Sequence, residues 1–236
     1  MELLVRREFF NAPFFLALAQ GDYNARQLRY FALQYGHYSR NFPRILGAAI
    51  SAMEPLSEWW VPLADNLWDE AGRGSSNRSH QALYQTFLFS IDPCLGDDLH
   101  HVPDAPMGSA VAEAIGTFLS FFRQATPMEA MAAVGLGSEF FAGQVMGRIG
   151  EGLRHPHYNA IRPLNLSFWT IHAEHDEPRH YALCRQVLIH YARPADLQVL
   201  WAVGSSIARS EAKMYQDLYQ EMTGKGPLSD REDDLR

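Results

Sequence analysis

Apolar residues recur at intervals of three and four in one stretch after another, and this rhythm restricts the chain to helices. In ARQLRYFALQYGHYSRNFPRIL, the residues Leu28, Phe31, Tyr35, Tyr38, Phe42 and Ile45 fall on a single helical face. Asn24 with Gln27 forms a capping pair at its start, and Pro43 is expected to bend or split the helix. Leu56, Trp60, Leu63 and Leu67 mark a second helix from about Pro55 to Ala71, which GRGSSNRS ends. Shorter helices are expected from about Asn77 to Ile91 and from about Met107 to Arg123, separated by the loop IDPCLGDDLHHVPDAP.

Thr126-Pro127-Met128-Glu129 combines a cap, a proline at the first helical position and a glutamate three residues after the cap. The helix that starts there is expected to reach about Leu153 despite Gly135, Gly137, Gly143 and Gly147. After the loop HPHYNAIRP, a long helix covers about Leu164 to Tyr191. Pro194 opens the last one, with Leu197, Leu200, Ile207, Met214 and Leu218 in register. No strand-like alternation, internal repeat or domain-separating linker interrupts the series. The expectation is an all-α single domain of seven or eight helices over residues 1–224, followed by a polar tail, 225–236.

Composition narrows the partners. With 236 residues, 47% of them hydrophobic, the chain can bury a substantial core. A formal charge of −7 and the lack of a basic cluster argue against a nucleic-acid partner. The two cysteines, Cys94 and Cys184, provide no disulfide framework and suit a reducing cytoplasm. MELLVRREFFNAPFF carries charges where a signal peptide needs an apolar core, and no apolar run approaches the ~20 residues of a membrane span. The expectation is a cytoplasmic protein with no membrane partner.

The stretch HAEHDEPRH, 172–180, places titratable groups where a buried face belongs. At about 100° per residue, His172, Asp176 and His180 fall within an arc of about 80°, on the face continued by Phe168, Leu183 and Val187. Burying these groups unpaired is costly, and a bound cation satisfies all three at once. Other helices carry matching oddities. Glu70 takes the next place on the stripe of Leu63 and Leu67, and His80 opens the stripe of Leu83, Phe87 and Ile91. Glu139 shares a face with Ala132, Leu136 and Met146, between Gly135 and Gly143. Those glycines either leave a hollow beside the carboxylate or serve a close helix–helix contact. Three carboxylates and three histidines exceed what one tetrahedral zinc needs, and suit two divalent ions such as iron or manganese. A ferritin-like arrangement needs two E-x-x-H pairs, and only Glu177 to His180 is present.

Glu70-x9-His80, then Glu139, then H-x3-D-x3-H within FWTIHAEHDEPRHYAL resemble the heme-oxygenase-like di-iron oxidases. These belong to the superfamily of heme oxygenase, the TenA proteins and the pyrroloquinoline quinone biosynthesis oxidase. The helix order and the segment ARQLRYFALQYGHYSRNFPRIL are similar as well, so the likeness covers most of residues 5–222. It implies a heme-oxygenase/TenA-like bundle with Glu70, His80, Glu139, His172, Asp176 and His180 as metal ligands. It also implies two iron ions, with manganese as the alternative, and neither heme nor flavin. The implied reaction is activation of dioxygen on a small organic substrate, by N-oxygenation or oxidative C–C cleavage of an amino acid, amine or fatty acid. Family members usually read H-x3-D-x2-H, whereas here the last histidine comes one residue later. Pro178 lies in that extra turn and cannot donate a hydrogen bond. A one-residue π bulge is expected to swing His180 back; failing that, Glu177 or His175 becomes the candidate.

Phe140, Phe141, Phe168 and Trp169 flank the proposed ligands and either shield the site or simply fill the core. Periodicity makes Gln34, Tyr38 and Arg148 candidates for substrate contacts. His100-His101 and His155-x-His157 are expected in solvated loops. One alternative is a metal-free TenA-like aminopyrimidine or thiamin-related hydrolase or binder. That chemistry resembles attack by a cysteine in the helix holding Glu139, and no cysteine lies between 127 and 152. A cofactor-free oxidase and a non-enzymatic helical scaffold are the other readings. A homodimer is an expectation without a sequence signature.

Overall fold

The computed structural model describes residues 1–95, 105–160 and 162–224, and among them every regular element is helical. The expected tail 225–236 and the pair His100-His101 lie outside the described residues. Two short N-terminal helices, α1 (Glu2–Val5) and α2 (Pro13–Gln20), flank a π-helical turn at Arg6–Phe10. Then come α3 (Ala25–Ser51), α4 (Ser57–Glu70), α5 (His80–Ile91) and α6 (Ser109–Phe122). α7 (Pro127–Val134) runs through a π turn, Gly135–Glu139, into α8 (Phe140–Leu153). In the same way α9 (Ser167–Ile171) continues through a π turn, His172–Asp176, into α10 (Glu177–Tyr191). The last helix is α11 (Leu197–Met222). With α7–α8 and α9–α10 each taken as one rod, the described residues form seven long members of the bundle. No helix among the described residues is long and apolar enough to cross a membrane.

The caps form as the residues dictate. Asn24 accepts from the Gln27 amide while Gln27 answers the Asn24 amide, and Thr126 and Glu129 repeat the arrangement. Pro43 does not split α3. The missing hydrogen bond is tolerated because the helix is held by α4, α5 and α6 along its length. On α4 the buried face is Trp59, Leu63, Asn66, Asp69 and Glu70, while Leu56 and Trp60 are exposed. Leu63 of the expected stripe is fully buried and Leu67 packs against the core, so the true face overlaps the expected one but is rotated toward Trp59, Asn66, Asp69 and Glu70. Trp59 stacks on Tyr191 of α10 at 4.6 Å, and polar Asn66 and Asp69 face inward toward Glu139 and His180.

Phe9, Phe14, Phe31, Tyr35, Trp169 and Tyr215 form an aromatic hub, with Ile45, Leu46, Met131, Val187 and Ile207 in a second apolar cluster. The rods α7–α8 and α9–α10 approach closely. A Cβ on Gly135 would lie 2.7 Å from the Cys184 Cβ, and one on Gly143 would lie 3.3 Å from both the Ala173 carbonyl and the Glu177 Cβ. The glycines therefore serve close packing.

Candidate metal centre

Five segments deliver polar side chains to one place between the rods: α4, α5, the two later π turns and the start of α10. Glu70, His80 and His172 form one buried group, and Glu139, Glu177 and His180 a second. Within each group one ligand atom from every member lies within 4.8 Å of the others. In the first, His80 Nδ1 lies 3.0 Å from Glu70 Oε1 and 3.0 Å from His172 Nε2. In the second, His180 Nδ1 lies 3.8 Å from Glu139 Oε2. That oxygen is buried without a hydrogen-bond partner, while Oε1 of the same carboxylate accepts from Asn66 at 2.7 Å.

Each imidazole is held from behind. His172 Nδ1 donates to the Phe168 carbonyl at 2.7 Å, leaving Nε2 for the site. His180 Nε2 meets Asp69 Oδ2 at 3.1 Å, which leaves Nδ1 turned toward Glu139. His80 Nε2 faces Asp176 Oδ2 at 3.3 Å, so its Nδ1 points inward. Asp69 is itself fixed by Arg73 and Arg179. Such outer partners set the tautomer and orientation of a ligating histidine.

The π turns explain which acid goes where. An α-helix returns to the same face after about four residues, whereas a π turn hydrogen-bonds i to i+5 and needs one more. Counting five from His172 reaches Glu177, not Asp176. Glu177 is accordingly buried at 6% exposure beside Glu139, and His180 follows three residues on at 1%. The bulge thus lies one turn ahead of Pro178. Asp176, expected among the ligands, instead lies partly exposed behind His80. The legible clue was the E-x-x-H pair Glu177–His180. Asn66 and Asp69 carried no sequence signal, since polar residues on α4 read as its wet side.

Charge within the centre is compensated by protons. Burial disfavours the charged form of His80, yet the Asp176 and Glu70 carboxylates outweigh it and raise its pKa to about 10. Burial and the cationic His80 push His172 down to about 4. Burial and the neighbouring Glu139 carboxylate drive the Glu177 pKa well above the usual range. A site that must keep a proton on a glutamate and a second on an imidazole is one where divalent cations would supply the missing positive charge.

Both groups open on one narrow cavity of about 40 Å³, space for roughly three waters. Glu70, His172 and Glu177 line it together with Tyr35, Tyr38, Phe141 and Glu211. Of the flanking aromatics, Phe141 and Phe168 reach the cavity, and the Phe168 ring lies 4.1 Å from that of His172. Trp169 is buried in the aromatic hub, and Phe140 packs on Tyr181 at 5.2 Å. Of the three candidate substrate contacts, only Tyr38 lines the cavity. Gln34 is committed to the α5–α6 connection, donating to the Pro106 carbonyl and accepting from the Gly108 amide. Arg148 lies outside, paired with Glu151 and over the Phe10 ring at 5.4 Å.

Residues 29–208 match the model of a family described as iron-containing redox enzyme. Solved structures with the same architecture include a CADD-like protein of unknown function from Nostoc punctiforme PCC 73102, with a TM-score of 0.72 and 17% identity over 93% of this chain and 94% of that one. A domain of unknown function with a heme oxygenase-like fold from Shewanella denitrificans OS217 gives 0.69 and 16% over 95% and 89%. A TenA homologue from P. horikoshii OT3 gives 0.64 and 13% over 95% of each chain. At these identities the likeness shows the fold, a heme-oxygenase/TenA-like helical bundle, as the sequence resemblance implied. Comparison with curated proteins finds no match.

Proposed function

The chain belongs to the iron-containing redox enzyme family, and from that premise we propose that it is a non-heme di-iron oxidase or oxygenase acting on a small organic substrate with dioxygen. The observation that carries the reading is the pairing of two buried carboxylate–imidazole groups, without a thiolate in either, on one cavity. Mixed oxygen and imidazole donors suit iron or manganese. The Glu139 Oε2 that has no hydrogen-bond partner fits the same reading, since a cation in the centre would answer a buried carboxylate oxygen.

In this assignment Glu70, His80 and His172 would hold one ion, and Glu139, Glu177 and His180 would hold the other. Asp176, Asp69 and the Phe168 carbonyl orient the three imidazoles. Two iron ions so held would supply reductive activation of dioxygen. Phe141, Phe168 and Val145 keep bulk water from the cavity, and its small volume restricts the substrate part beside the ions to a few atoms. The metal-free hydrolase reading lacks its nucleophile: Cys184 is buried and its thiol is pushed well above the ordinary range by that burial, while Cys94 is exposed.

Anaerobic titration with ferrous ion tests the proposal. About two equivalents should bind, a chelator should lower the melting temperature, and the loaded protein should consume oxygen with an amine, amino acid or fatty acid. Uptake below one equivalent together with a melting temperature indifferent to chelator refutes it.

A further inference from the structure

Two rods, α3 and α11, supply no member of the donor groups yet build much of the cavity wall, through Tyr35, Tyr38, Ser39, Phe42, Glu211 and Tyr215. Among these, Glu211 has no task in the metal centre. It is only 6% exposed, and its Oε1 is buried with no hydrogen-bond partner. No lysine or arginine lines the cavity among the described residues, so no protein cation answers this carboxylate. The tyrosines that share this wall pack on one another, Tyr35 tilted against Tyr38 at 5.8 Å and stacked on Tyr215 at 6.4 Å.

A desolvated carboxylate is tolerated when something bound pairs with it. Tyrosine faces attract cations, and a carboxylate set among them is a receptor for an ammonium group. We propose that Glu211, with Tyr35, Tyr38 and Tyr215 around it, forms a subsite for the protonated amino group of a small substrate, a primary amine or free amino acid. The inference rests on the di-iron reading of the same cavity and narrows its substrate class: fatty acids, which carry no cation for Glu211, are disfavoured.

The test is calorimetric binding of n-pentylamine and of its uncharged isostere 1-pentanol to the ferrous protein under argon, for wild type and Glu211→Gln. The wild type should bind the amine at least tenfold more tightly than the alcohol. Glu211→Gln should lose at least tenfold for the amine and bind the alcohol unchanged. Equal affinity for the two probes overturns the subsite, as does amine affinity that survives Glu211→Gln, the result of amine nitrogen meeting iron alone. Iron content and melting temperature of the variant report its fold, and the wild-type ratio stands without any variant. Wild-type protein that takes up no iron sinks the di-iron reading, with amine selectivity then scored on the metal-free protein. Loaded protein without selectivity sinks the subsite alone.

Discussion

Replacing Asp176 and Glu177 one at a time distinguishes a helix counted in fours from one that contains a π turn. Glu177→Gln takes a charged oxygen out of the group with Glu139 and His180, and ferrous uptake should fall from about two equivalents to about one. Asp176→Asn leaves both groups intact and alters only the oxygen 3.3 Å behind His80 Nε2. Loss of an outer partner of this kind weakens metal binding ~10–100-fold, or about 1.4–2.7 kcal/mol. Its stoichiometry should therefore stay at about two while one binding phase shifts to higher iron concentration. Anaerobic isothermal titration, with iron quantified after desalting, reads both quantities. The reverse pattern, an equivalent lost in Asp176→Asn and none in Glu177→Gln, would refute the five-residue register and restore Asp176 as the ligand.

Three further outcomes follow from the same geometry. His80 has its folded pKa raised from 6.5 to about 10, so its stabilising contribution is whole below pH 6.5 and is lost as pH climbs through 10. At about 1.4 kcal/mol per unit, the metal-free protein should lose up to a few kcal/mol between pH 7 and 10 in thermal denaturation, and a flat profile there contradicts the His80–Glu70–Asp176 arrangement. Asp69→Asn removes the charge facing His180 Nε2 at 3.1 Å and should weaken one iron phase ~10–100-fold; unaltered iron binding would show that Asp69 does not orient the imidazole. Gly135→Val brings a side chain against the Cys184 Cβ, 2.7 Å from the new Cβ, and should destabilise the protein by about 1–3 kcal/mol; a denaturation midpoint equal to wild type speaks against the close contact of the two rods.

Much of this was readable before any coordinates. The three-and-four rhythm predicts helices, Asn24 and Thr126 predict their starts, and acids and histidines on apolar stripes predict a polar interior. Helix type follows from local chemistry, because caps and side-chain periodicity act within a few residues. The short helices before Asn24 escaped, being too brief for a stripe to show. The face of α4 was misjudged because Asn66 and Asp69, inward for the sake of Glu139 and His180, look like solvent-facing residues when read along one helix.

Residue types along this chain were enough to announce a helical bundle with a cation-seeking interior. Which acid enters that interior depended on packing between rods. A helix counted at constant pitch puts Asp176 inside, but α8, where a Cβ on Gly143 would lie 3.3 Å from the Ala173 carbonyl, packs against the added residue where it is taken up as a π turn. That single change of hydrogen-bond register turns Glu177 inward and Asp176 toward the back of His80. Register responds to neighbours distant in sequence, so spacing alone could not reveal it.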